Sequence, residues 1–230
     1  MKRACLFAFL LSLTACTGTE TGNPMLQPSV GYDELEPMGI TPTIDASSAT
    51  MTVDAMELIG CDGDADVPLY AERGFVDTVR GFATAPVLLV TAGEYCGLRI
   101  TLARESECIG ASCTPELAIH FTGRRNVDGL FFDMLDAELR TITLDGRFEI
   151  SEELRGVVLT TDAESIAATL QIATTAAEPE GNIRIDAERN ASRLPEFRAA
   201  FDAALALYRD ADGDGTLSAD ERMATPLAVP

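Results

Sequence analysis

Residues 210–221 read DADGDGTLSADE, a spacing of oxygen-bearing side chains that a hard divalent cation would require. Calcium takes six to eight oxygen ligands, so a short loop can enclose it only if carboxylates alternate along the chain and the backbone bends sharply midway. Asp210, Asp212 and Asp214 stand at places 1, 3 and 5, and Gly215 supplies the bend at place 6. Thr216 at place 7 would give its backbone carbonyl, Ser218 at place 9 would bind directly or through water, and Glu221 at place 12 would bind with both oxygens. Leu217 is the apolar residue that packs such a loop down. A competing reading makes Ser218-Ala219-Asp220-Glu221 a capping box that opens a helix and leaves the aspartates as solvated turns. Capping alone does not account for three aspartates in alternation before a glycine.

This segment resembles the EF-hand loop, and the resemblance implies Ca²⁺ as the cofactor. Leu194, Phe197, Phe201, Leu205 and Tyr208 recur at three- and four-residue steps, which predicts an amphipathic helix running into the loop. An exiting helix can begin near Ser218 but is stopped by Pro226, and no second loop follows to pair with the first. A lone loop is less rigid, so the expected affinity is on the order of 10⁻⁴ to 10⁻³ M, the range of extracellular calcium modules. A second acidic run, DGDAD at 62–66, shares the alternation. It has Val67 where the glycine belongs and Arg73 where the glutamate belongs, and reads as an exposed loop beside a disulfide.

Little else in the sequence could do chemistry. A serine or cysteine nucleophile normally needs a nearby base, and His120 is the sole histidine. It falls on the polar side of a strand pattern, with no Gly-x-Ser-x-Gly elbow to serve and no phosphate-cradling glycine loop elsewhere. Tryptophan is absent, which removes the usual sugar platform. The chain therefore reads as a binding or structural module without catalysis. The alternatives are a cell-surface hydrolase that uses carboxylates, with calcium as a support, and a docking device resembling half a dockerin.

The elements that must position the loop are mostly strands. From about Thr50 to Thr175 apolar residues recur with period two. LRITLA sets Leu98, Ile100 and Leu102 on one face, and ELAIHFTG sets Leu117, Ile119 and Phe121 opposite His120. PVLLVT at 86–91 reads as a central strand, and GVVLTT at 156–161 as another. Asp145-Gly146 reads as a hairpin whose three-residue loop would set Ile142 opposite Phe148. DAESIAATLQIA at 162–173 fits either a helix or a strand. The expected fold is an antiparallel β-sandwich, immunoglobulin-like or transthyretin-like, with a C-terminal helix and the single loop. LLVTAGEYCGLRITL is similar to the strand, Gly-x-Tyr turn and strand of two extracellular sandwich types. One is the carboxypeptidase-regulatory type and the other a bacterial lipoprotein domain; neither implies a catalytic residue.

The N-terminus addresses the compartment. Lys2 and Arg3 precede an apolar run, Leu6 to Leu13, too short to span a bilayer, as in an export signal. Its end, LTAC, resembles the lipobox of bacterial lipoproteins. That resemblance implies cleavage after residue 15, an acyl chain on Cys16 and, with Thr17 following, an outer-membrane address in the cell envelope. The continuation CTGTETGNP is similar to the mature N-terminus of such lipoproteins. Residues 16–48 are rich in Thr, Gly, Pro and Ser and read as a flexible tether with a root-mean-square span of about 30 Å. The expected plan is a signal peptide over 1–15, the tether over 16–48, the sandwich over 49–178, and the helix with its loop over 179–230.

The formal charge is −20, from 17 Lys+Arg against 37 Asp+Glu, and beyond the leader every basic residue is arginine. Such a surface repels nucleic acid and concentrates cations. Partners are therefore expected in the envelope, as a protein or a glycan, with the membrane reached through the lipid alone. Apart from Cys5 and Cys16, four cysteines remain in an oxidising compartment, with three possible pairings. Gly110 and Ser112 let Cys108 turn back on Cys113, which leaves Cys61 with Cys96. A zinc site would want Cys-x-x-Cys pairs or several histidines, and the sequence has neither.

Overall fold

The structure, a computed structural model, describes residues 24–30, 43–70, 73–79, 83–84, 88–104, 108–109, 112–113, 116–154 and 156–230. The strands in chain order are β1 (Met25–Val30), β2 (Ile44–Gly60), β3 (Val67–Tyr70), β4 (Gly74–Asp77), β5 (Ala83–Thr84), β6 (Leu88–Leu89), β7 (Gly93–Leu102) and β8 (Cys108–Ile109). They continue as β9 (Ser112–Cys113), β10 (Ile119–Arg125), β11 (Phe131–Asp136), β12 (Thr141–Ile150), β13 (Gly156–Thr161), β14 (Asn182–Ile185) and β15 (Leu205–Asp210). The helices are α1 (Ala163–Thr169), α2 (Leu194–Ala203) and α3 (Ala219–Arg222).

The chain is mainly β, as its period-two pattern requires. Among the described residues, an eight-stranded sheet follows the order β12-β7-β2-β10-β11-β14, with β3 and β4 also on β2. A five-stranded sheet follows the order β15-β13-β1-β5, with β6 also on β1. Residues of both sheets merge into one buried cluster, including Met51, Leu98, Ile100 and Phe121 from the larger sheet and Leu26, Val157, Leu159 and Leu207 from the smaller. That shared core makes the architecture a sandwich. Most pairs are antiparallel, but β1 runs parallel to β13 and β11 parallel to β14.

Several local expectations are met. Leu98, Ile100 and Leu102 are buried on one face of β7, and Ile119 and Phe121 on one face of β10. The ambiguous segment is a helix: Asp162 caps α1 by accepting from the Ser165 amide at 3.0 Å, and Ile166 and Ala167 turn inward. Cys61 and Cys96 form a disulfide. Cys108 lies directly opposite Cys113 across β8 and β9, while their side chains lie outside what the structure describes.

Other expectations are corrected. Asp145-Gly146 is no hairpin, because β12 runs straight through it, paired with β7 and bulged between Asp145 and Phe148. The glycine is needed there because the C-terminal segment crosses the strand, and a Cβ on Gly146 would strike the Leu227 carbonyl oxygen. Of the run 86–91, residues 86 and 87 lie outside the described residues. In the rest β6 covers two residues, is paired with β1 at the side of the smaller sheet among the described residues, and leaves Leu89 71 % exposed, which does not suit a central strand. The stretch 16–48 is not tether throughout. Met25–Val30 is a strand of the smaller sheet with Leu26 fully buried, and β2 already begins at Ile44. Six residues suffice because β13 offers β1 a ready edge. The region 179–230 is likewise built into the sandwich, since β14 joins the larger sheet and β15 the smaller.

Candidate metal centre

The element that leads into the acidic loop is a strand and not the expected helix. α2 starts with Pro195 in its first turn, buries Phe197 and Phe201 edge to face at 6.0 Å, and ends at Ala203. Beyond it Leu205 and Leu207 are buried and Ala206 and Tyr208 only half-buried, an alternation that serves a strand. β13 supplies the partner, pairing from Thr161 with Leu205 to Gly156 with Asp210. The helical spacing of Leu205 and Tyr208 loses to a sheet edge that would otherwise stay unpaired.

Asp210, the last residue of β15, is 0 % exposed. Its carboxylate accepts the Gly213 amide at 2.6 Å and the Gly215 amide at 2.9 Å, which curls the loop around it. Both glycines have positive φ, +77° and +82°, a conformation that suits a residue without Cβ. Asp212 accepts the Asp214 amide at 3.2 Å, and Asp214 accepts both the amide and the hydroxyl of Thr216 at 2.7 Å. One carboxylate oxygen from each of Asp210, Asp212 and Asp214 lies within 4.8 Å of the others. Ligands on opposite sides of a calcium ion stand about 4.6–5.2 Å apart, so this group could hold a metal ion.

The loop rests on the smaller sheet. A Cβ on Gly156 would lie 2.7 Å from Asp210 Oδ2, and one on Gly215 would lie 3.0 Å from the hydroxyl of Ser29. Ser29 is itself buried, and its hydroxyl has no hydrogen-bond partner among the described residues. Leu217 is 2 % exposed and anchors the far side of the loop, as its apolar character requires. Neither Ser29 nor Gly156 could be found from sequence, because each reaches the loop only through the pairing of β1, β13 and β15.

Ser218 and Glu221 make their hydrogen bonds within the same twelve residues. Ser218 caps α3 and Glu221 closes the capping box, so both readings of this segment coexist. Glu221 accepts the Ala211 amide at 2.5 Å with one oxygen and the Ser218 amide and hydroxyl, each at 2.8 Å, with the other. Its carboxylate thus ties the first residues of the loop to the last. Burial raises the carboxyl of Asp210, the Gly215 and Gly213 amides pull it down, and the charges of Glu221 and Asp214 add to the rise, leaving it above its ordinary value. The Thr216 hydroxyl and amide hold Asp214 below the usual carboxylate range. Desolvation pushes Glu221 up, but the Ser218 and Ala211 amides more than offset it.

The second acidic run, 62–66, makes ion pairs instead. Asp66 meets Arg99 at 2.5 Å and accepts the Gly60 amide at 3.1 Å, and Asp62 meets Arg147 at 3.0 Å, all beside the Cys61–Cys96 bridge. His120 pairs with Asp133 at 2.8 Å, both side chains about one-third exposed. Cys16 lies outside the described residues. Among the described residues no helix is long and apolar enough to cross a membrane. No protein-family model matches the chain, and no match is found among curated proteins or solved structures.

Proposed function

We propose that this chain is a calcium-binding lipoprotein of the cell envelope, anchored by an acyl chain on Cys16, whose sandwich is a binding or structural module that performs no reaction. The observation that carries the reading is the convergence of three aspartate carboxylates, one of them fully buried, at the end of β15. Like charges held together at a sheet edge destabilise the loop, and a divalent ion converts that repulsion into attraction. Calcium is the favoured ion because every donor is oxygen and the loop carries the spacing that calcium loops use.

The loop is well placed to stiffen the whole sandwich. Leaving α3, the chain returns so that Leu207 bridges Ala228 and Asp145 bridges Val229, linking β15 of one sheet to β12 of the other. An ion that fixes residues 210–221 shortens the freedom of that clamp. With calcium at ten times its dissociation constant, the gain is about 1.4 kcal/mol. For a domain of this size that raises the melting temperature by roughly 3–6 °C.

Calorimetric titration of the metal-stripped protein with calcium, beside melting curves with and without chelator, is the test. One calcium per chain and a chelator-sensitive melting temperature support the reading. Melting that ignores the chelator, with no heat of binding, removes it.

A further inference from the structure

Resting on the lipid anchor read at Cys16, we propose that the end of the five-stranded sheet carrying Met25 and Leu89 is a membrane-facing surface that lies against the bilayer. Only residues 17–23 separate the acylated cysteine from Pro24, whose carbonyl already accepts the Val90 amide at 3.1 Å. Eight residue steps reach about 29 Å at full extension and about 16 Å as a root-mean-square coil. A globule of this length has a radius of gyration of about 16 Å and is about 40 Å across. So short a leash holds the domain against the surface and keeps it from turning over. The end where β1 begins must face the lipid.

What stands at that end fits the neighbour. Met25 is 64 % exposed and Leu89 71 % exposed, and the two are register partners across β1 and β6, so their side chains stand together on one face. An exposed apolar pair beside an anchored terminus is suited to the headgroup boundary. The opposite end of the sheet is identifiable. β13 runs from Gly156, opposite Gln27, to Thr161, and leads into α1. Glu164 of α1 accepts the Ile44 amide at 3.1 Å, and the neighbouring Thr43 carbonyl accepts Asn126 at 3.0 Å. Val127, 78 % exposed, therefore marks the far end. The aspartate loop shares the membrane end, since Gly156 pairs with both Gln27 and Asp210. Its charge is compatible with zwitterionic headgroups, which exert little surface potential.

The test uses the mature protein, reconstituted in phosphatidylethanolamine and phosphatidylcholine vesicles doped with a phosphatidylcholine that carries a photoreactive diazirine near its headgroup. After irradiation, lipid adducts are mapped by mass spectrometry. Adducts on the peptides holding Met25 and Leu89, several-fold above the peptide holding Val127, are expected. An acylated chain with equal labelling at Leu89 and Val127 overturns the membrane-facing surface alone. A mature chain whose mass shows no acyl group on Cys16 overturns the lipoprotein reading and this surface with it.

Discussion

Asp210 pairs in register with Gly156, and its carboxylate lies across that glycine so closely that a Cβ there would push it aside. The acidic loop is thereby tied to β13, which lies between β15 and β1 in the smaller sheet. The loop is thus aimed by the β-fold, although its own sequence is complete in twelve residues.

Two substitutions separate the ligand from its support. Asp210→Asn keeps the shape and removes one charge, but its single oxygen can accept from only one of the Gly213 and Gly215 amides, which now donate to different oxygens, and its NH2 group faces the other. It should abolish the calcium-dependent rise in melting temperature and, because one buried amide then faces a donor, lower the metal-free stability by about 1–3 kcal/mol. Gly156→Ala should displace the Asp210 carboxylate and weaken calcium binding without touching a ligand. Unaltered titration of Gly156→Ala by calorimetry would mean that the carboxylate does not need its seat.

The Cys61–Cys96 bridge closes a sequence separation of 35 residues between the end of β2 and β7. On chain-entropy grounds, removing it costs about 4 kcal/mol. The double variant Cys61→Ala with Cys96→Ala should lose that much in urea unfolding. The β2 to β7 ladder from Val53 to Gly60 holds the same segments, so the fold should survive. A midpoint equal to the parent's would contradict this.

Arg125 is an arginine at only 7 % exposure, and its guanidinium gathers a segment that has no regular structure. It donates to Asp128 at 2.6 and 2.9 Å, and to the carbonyls of Ile172 and Thr175 at 2.8 and 2.7 Å. Arg125→Met fills the space but leaves those carbonyls without their donor, at a cost of about 1–3 kcal/mol. Proteolysis should then cut first within 172–181, read out by mass spectrometry. Cleavage starting elsewhere would assign the segment's order to another contact.

The sequence carried the strand content because one-sided burial leaves a period-two trace, as in Leu98, Ile100 and Leu102. The loop was legible for a local reason: ligand spacing within twelve residues needs no tertiary partner. The errors came where a distant segment decides. Leu205–Asp210 fits a helix until β13 offers an edge. Asp145-Gly146 fits a turn until the C-terminal segment crosses it. Met25–Val30 sits among Pro, Gly and Thr, and only the pairing with β13 reveals it as a strand. Ser218 and Glu221 form the capping box of α3, which the same four letters also spell.

Acid should unfold the protein through the buried cluster that joins β11, β12 and α2. Asp136 is 0 % exposed and lies between two arginines, accepting from Arg198 at 2.8 and 3.0 Å and from Arg140 at 2.7 Å. Arg140 also grips Asp202 at 2.7 and 3.0 Å. Burial pushes the Asp136 carboxyl up, but Arg198, the Glu138 amide and Arg140 together hold it below the ordinary aspartate value. A depressed folded pKa means that the unfolded chain binds the proton more tightly. The stabilisation is therefore complete above the unfolded value of about 3.9 and is lost as pH falls through the lower folded value. Urea midpoints measured from neutrality into acid should hold steady with respect to this group down to about pH 4 and then drop. Asp136→Asn should lower the stability at neutral pH by about 1–3 kcal/mol, because the two arginines lose the buried carboxylate they share while Arg140 keeps Asp202 and Arg198 keeps Glu138. It should also flatten the acid limb, since the titrating group is gone. A variant whose acid limb runs parallel to the parent's would place the acid sensitivity in the other depressed carboxyls, of which Asp186 beside Arg184 is the most enclosed.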